Sequence, residues 1–210
     1  MTHPLKPSPQ GPYRSALPAS ASLLLVLLLN GCSGPTTPQP GPTTEKQPET
    51  PVTEQGSDLY LQGIEALAIK DFDSAASIFK RFNSQYTAKS GGHANLALIS
   101  LKQGDIENAT ISADQAIELN PNNAAAHNLK GLINLEQGKI KTARDNFRTA
   151  IDIKPDYSNA HYNLALVYDI YLQDIAKAIE HYSRYLALTT EKDPGTQDWV
   201  DYLKSQLNNG

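Results

Sequence analysis

The chain has 210 residues, with 18 basic and 22 acidic side chains, a formal net charge of −4 and a single cysteine. That length holds one ordinary domain plus extensions. The near-balanced charge, with no basic stripe, excludes a nucleic-acid binder, and a lone cysteine excludes an intramolecular disulfide and a cysteine-based zinc site.

The first element is a leader. Residues 1–15 carry Lys6 and Arg14 and no acid, and residues 16–29, ALPASASLLLVLLL, are mostly apolar. Spanning a bilayer takes about 20 apolar residues, so this run is short for a membrane helix. A basic stretch, an apolar stretch and a small-residue site make a signal peptide. The site is LNGC, ending on Cys32. It resembles the bacterial lipobox, with Leu29 three before the cysteine and Gly31 just before it. That resemblance implies a signal peptide over 1–31 and a lipidated Cys32 as the mature N-terminus. Two or more acyl chains anchor stably where one does not. Ser33 follows, not an aspartate, which by the same resemblance implies the outer membrane, periplasm-facing.

Residues 32–56 are read as the lipidated cysteine and a tether. Proline recurs at 35, 38, 40, 42, 48 and 51, with threonine between. Such a stretch has no core to bury and favours extended geometry, reaching on the order of 70 Å at about 3.1 Å per residue.

Residues 57–191 repeat. Blocks opening at Gly56, Ser90, Ala124 and Ser158 are 34 residues apart. Position 4 is histidine in the last three, His93, His127 and His161. Position 8 is small throughout: Gly63, Ala97, Gly131, Ala165. Position 20 is Ala75, Ala109, Ala143; position 24 is Phe79, Ala113, Phe147; position 27 is Phe82, Ala116, Ala150. Pro121 and Pro155 occupy position 32. Gly104 and Gly138 stand where a first helix must end, as cap glycines do, and NPNN and KPDY break the chain between blocks. The fourth block carries one extra residue near YLQDI and no turn glycine, which predicts an extended or bulged helix there. Tyr182 and Tyr185 then replace the Phe and Ala. Residues 192–210 predict a capping helix with Trp199, Leu203 and Leu207 on one face.

This register resembles the tetratricopeptide repeat, a 34-residue helix–turn–helix unit. It implies an all-α solenoid of about four repeats plus the capping helix. Three histidines at one interval raise the question of a metal site. Equivalent residues of stacked repeats lie about 10 Å apart or more, too far to share an ion bound at about 2.0–2.1 Å. They are one packing position copied three times.

No nucleophile–base pair, phosphate loop or carboxylate dyad stands out. The expectation is therefore no enzyme, no cofactor, no metal and no small-molecule substrate. In the resembled family the first helix of each repeat lines a concave groove. Carried over by position, that implies Tyr60, Asn128 and Tyr162 at position 5, and Ile64, Leu132 and Leu166 at position 9, as a protein-binding groove. No Lys or Arg stands at positions 2, 5 or 6, which speaks against a clamp for a C-terminal carboxylate. Leader and repeats together resemble the tetratricopeptide lipoproteins that help assemble type IV pili or a secretin. An adaptor for cell-wall hydrolases, synthases or proteases is the alternative, and a metal-binding or enzymatic protein a third. Each of the first two implies protein partners in the periplasm or envelope, and a membrane contact through lipid.

Overall fold

The computed structural model describes residues 54–208. The leader over 1–31, Cys32 and the tether up to residue 53 lie outside the described residues. Among the described residues run nine α-helices: α1 (Glu54–Ala68), α2 (Phe72–Gln85), α3 (Ser90–Lys102), α4 (Ile106–Leu119), α5 (Ala124–Glu136), α6 (Ile140–Ile153), α7 (Ser158–Leu166), α8 (Ile175–Leu188) and α9 (Pro194–Asn208). A π-helical segment, Val167–Leu172, continues α7. Helix α1 starts at Glu54, ahead of the boundary expected at 57. None of these helices is long and apolar enough to cross a membrane.

The helices pack as pairs, α1 on α2, α3 on α4, α5 on α6 and α7 on α8, and each pair packs on the next. Close approach within a pair rests on small residues. Ala75, Ala109, Ala143 and Ala178, the four position-20 alanines once the inserted residue is allowed for, are all fully buried. Position 8 answers position 24 across the pair. A Cβ on Gly63 would come within 2.6 Å of the Phe79 ring, and one on Gly131 within 2.4 Å of Phe147. Where position 24 is Ala113, position 8 is Ala97, and both are fully buried. Glycine thus stands opposite phenylalanine in the first and third pairs and alanine opposite alanine in the second, so these pairs fill one space in two ways.

The turns inside the pairs repeat one device. Lys70, Gly104, Gly138 and Gln173 all take positive φ, at 62°, 77°, 71° and 54°. Glycine adopts this left-handed conformation freely; the Cβ of lysine and glutamine resists it. The next helix is then capped. Asp71 accepts from the Ser74 amide at 3.1 Å, Asp105 from Asn108 at 3.0 Å and Asp174 from Lys177 at 3.2 Å. Lys139, at the same place in the third pair, has no side-chain cap bond.

The extra residue of the fourth repeat sits in the π-helical segment. In the other pairs the capping residue's amide bonds the carbonyl five residues back, as Asp105 does to Ser100 at 2.8 Å. Asp174 instead bonds Tyr168, six back, at 2.9 Å. The helix widens by one residue, and Ala178 and Tyr182 return to register, buried like their counterparts.

Helix α9 covers the last pair. Asp193 caps it, accepting from the Thr196 amide at 2.9 Å and hydroxyl at 2.7 Å. Val200 and Leu203 bury against Val167, Tyr168 and Tyr182. The expected apolar face needs one correction: Leu207 is 52% exposed, and Val200 is the residue that packs. The period had chosen Leu207, but it lies in the last turn, past the surface α9 covers.

Candidate interaction surface

The first helices α1, α3, α5 and α7 present equivalent positions one repeat apart. At position 5, Ala94 and Asn128 are buried and Tyr60 and Tyr162 half-buried. Asn128 is fully buried, so it offers no surface to a partner, which corrects its place in the expected groove. The reason is a cross-repeat bond. Position 6 of one repeat reaches position 5 of the repeat before it. Asn163 Nδ2 donates to Asn128 Oδ1 at 2.9 Å, and Asn95 Nδ2 donates to the Tyr60 hydroxyl, also at 2.9 Å. Asn95 and Asn163 were missed in the sequence. Their only signal was an asparagine recurring at position 6, two repeats apart.

The two tyrosines are half-buried and engaged in packing. Tyr60 lies 5.5 Å from Phe79 and 5.2 Å from Phe82, ring centre to ring centre. Burial raises its hydroxyl pKa, only partly offset by the Asn95 bond. Tyr162 lies 5.7 Å from Tyr182 and 5.0 Å from Tyr185. Burial raises its pKa too, helped by the Asp193 carboxylate. Both rings therefore act as inter-helix packing with a partly open edge.

The remaining predicted residues, Ile64, Leu132 and Leu166, are half-buried. So are Leu67, Leu101 and Leu135 at position 12. These aliphatic side chains recur at two positions a turn apart, except that Leu98, at position 9 of α3, is buried. At position 12 of the fourth repeat stands Asp169. It accepts from Trp199 Nε1 at 2.7 Å and from the Tyr182 hydroxyl at 3.3 Å, tying α9 and α8 to the π-helical segment.

The histidines follow the repeat. His127 Nε2 lies 2.9 Å from the Pro121 carbonyl, and His161 Nε2 lies 3.1 Å from that of Pro155. Position 4 thus anchors the loop that ends the preceding repeat. The repeat of His93 is preceded by Thr87 instead of proline, and burial lowers the pKa of its ring, partly offset by Gln115. Among the described residues no group of three or more His, Cys, Asp or Glu is placed to hold a metal ion. A cleft of about 480 Å³ is lined by Ile151, Pro155, His161, Glu180, His181, Ser183, Arg184 and Ala187. A second, of about 400 Å³, lies along Leu186–Gln197. None of the six expected groove residues lines either one.

Models described as tetratricopeptide repeat match residues 91–123 and 113–145, and one described as TPR repeat matches 131–169. Similar solved structures include PilF of Pseudomonas aeruginosa, 21% identical over 74% of this chain and 71% of that one, TM-score 0.64. They also include TTC0263, a thermophilic TPR protein of Thermus thermophilus, 19% identical over 72% and 82%, TM-score 0.60. MamA of Desulfovibrio magneticus RS-1 is 18% identical over 75% and 88%, TM-score 0.58. At these identities the likeness is one of fold. Among curated proteins none matches by sequence. The paired helices, the 34-residue register and the matched models together make residues 91–169 of this chain tetratricopeptide repeats.

Proposed function

We propose that the chain is a non-enzymatic scaffold that binds protein partners along its first helices, held at the outer membrane by lipid on Cys32 and facing the periplasm. The observation that carries the binding role is the half-buried row Ile64, Leu132, Leu166 with Leu67, Leu101 and Leu135. Aliphatic side chains left partly open at equivalent positions suit the apolar face of a partner segment. Solenoids use such extended surfaces for binding. The anchor rests on the LNGC sequence alone.

The finer reading is assistance to assembly of a pilus or secretin complex. Its support is the leader-plus-repeat resemblance and the likeness of fold to PilF. An adaptor for cell-wall enzymes is the alternative. Deleting the gene and following both secretin assembly and wall integrity separates them. Loss of assembled secretin with an intact wall supports the pilus reading; the reverse supports the adaptor. Charged substitution of Leu132 and Leu166 is expected to reproduce the deletion while leaving the helical signal intact. If it does not, the binding surface lies elsewhere. Cys32→Ser is expected to move the chain from the detergent phase to the aqueous phase. Retention in the detergent phase rules out the lipid anchor.

A further inference from the structure

One contact in the first cleft belongs to no repeat pattern. His161 Nδ1 and His181 Nδ1 lie 3.1 Å apart. Ring centres are 5.3 Å apart, so the two rings meet nearly edge to edge through these nitrogens. The Pro155 carbonyl can only accept, so His161 Nε2 carries the proton of that bond. In the neutral ring Nδ1 then holds a lone pair, and His181 Nδ1 must donate to it. Helix α7 and helix α8, already packed through Tyr162, Tyr182 and Tyr185, thus also share one hydrogen between these rings.

We propose that this histidine pair is an acid-sensitive clasp: it holds α8 to α7 while it carries at most one extra proton, and it opens when it takes a second. The first extra proton leaves the bond intact, because it adds to His181 Nε2 and the hydrogen between the two Nδ1 atoms stays shared. The second leaves two N–H groups facing each other at 3.1 Å with like charges.

The surroundings resist that second charge. Helix α6 brings Arg148 near His181, and α8 brings Arg184 near His161; both lower the ring pKa values, and Glu180 on α8 acts the other way. Burial is the largest cause and lowers both rings. From the π-helical segment, Tyr168 stacks on His181 at 5.7 Å between ring centres, with Lys177 5.2 Å from the centre of the Tyr168 ring. No carboxylate hydrogen-bonds either ring in these contacts. The unfolded rings bind protons near pH 6.5, so below that pH the unfolded chain holds protons the folded pair excludes, and stability falls as pH falls. The protons belong to the pair, and the pair titrates in two steps.

The test compares full-length wild type with His181→Phe, which keeps the ring stacked on Tyr168 but cannot donate or titrate. Each proton withheld from the folded state changes the unfolding constant about tenfold per pH unit. Between pH 6.5 and 5 the wild type is expected to lose stability more steeply than His181→Phe by about one such factor per unit. His181→Gln, with an amide donor in place of the ring N–H, is expected to behave like the phenylalanine variant. His127→Phe, altering a histidine without a histidine partner, is expected to keep the steep slope that the clasp produces. Nitrogen NMR of the rings is expected to show two coupled steps. Equal slopes in wild type and both His181 variants, or two independent titrations near 6.5, would overturn the proposal.

Discussion

The third and fourth repeats use the same plan with one residue's difference. In the third, α5 ends on Gly138 at φ 71° and the next amide reaches back five residues. In the fourth, α7 passes into a π-helical turn, ends on Gln173 at φ 54°, and the next amide reaches back six. The insertion did not lengthen the turn. The turn's left-handed residue is kept, and so is the depth of Ala178 and Tyr182, while Asp174 supplies the cap bond that Lys139 of the third repeat lacks. A single widened helical turn disturbs one stretch of backbone bonds, whereas a shifted second helix would turn its whole buried face away. The contact between paired helices is the constrained quantity, and helix geometry yields to it.

The largest expected effect breaks that contact where it is tightest. Phe147→Ala is expected to cost about 3–5 kcal/mol through the cavity it leaves. Gly131→Ala is expected to cost about 1–3 kcal/mol, because its Cβ meets the Phe147 ring. Combined, they are expected to cost less than the sum, since the second repeat already packs alanine on alanine. Denaturant melts of the four-member cycle measure it; strict additivity would show that the two positions do not share one space.

A smaller effect is expected at Asp169, the fourth repeat's departure from leucine. Asp169→Leu restores the residue type of the other repeats but leaves the Trp199 N–H and the Tyr182 hydroxyl without their acceptor. The expected loss is about 1–3 kcal/mol. Trp199 is the chain's one tryptophan. Its fluorescence is expected to change as α9 loosens, while the repeats keep their helical signal.

The smallest effect sharpens the turns. Gln173→Gly and Lys70→Gly are each expected to stabilise by about 0.5–1 kcal/mol by relieving the left-handed strain. Gly138→Ala is expected to destabilise by about 1 kcal/mol in the regular turn. Thermal melts of the three variants check both signs.

The repeat register, the helix pairs, the cap glycines and the disturbed fourth repeat were all legible in the residues. They follow from spacing, and side chains recurring every 34 residues must meet the same environment in each copy. The binding surface was legible only in part. Position 5 reads as groove by analogy, yet Asn128 is buried beneath Asn163, a residue one position off in the next repeat. Leu207 fits the apolar period of α9 and still faces solvent, while Val200 packs.

Sequence by itself therefore determined which residues are equivalent, where the first helices of the middle repeats must end, and that the three repeat histidines share one position. Tertiary structure alone decided which equivalent residues stay open, that the extra residue is absorbed as a π-helical turn, and that His181, which stands where the other repeats have Ile78, Ser112 and Asn146, meets His161. Periodicity is a property along the chain, carried by each helix's own backbone. Burial and pairing are set across the stack, by whichever side chain of the neighbouring helix reaches the space first.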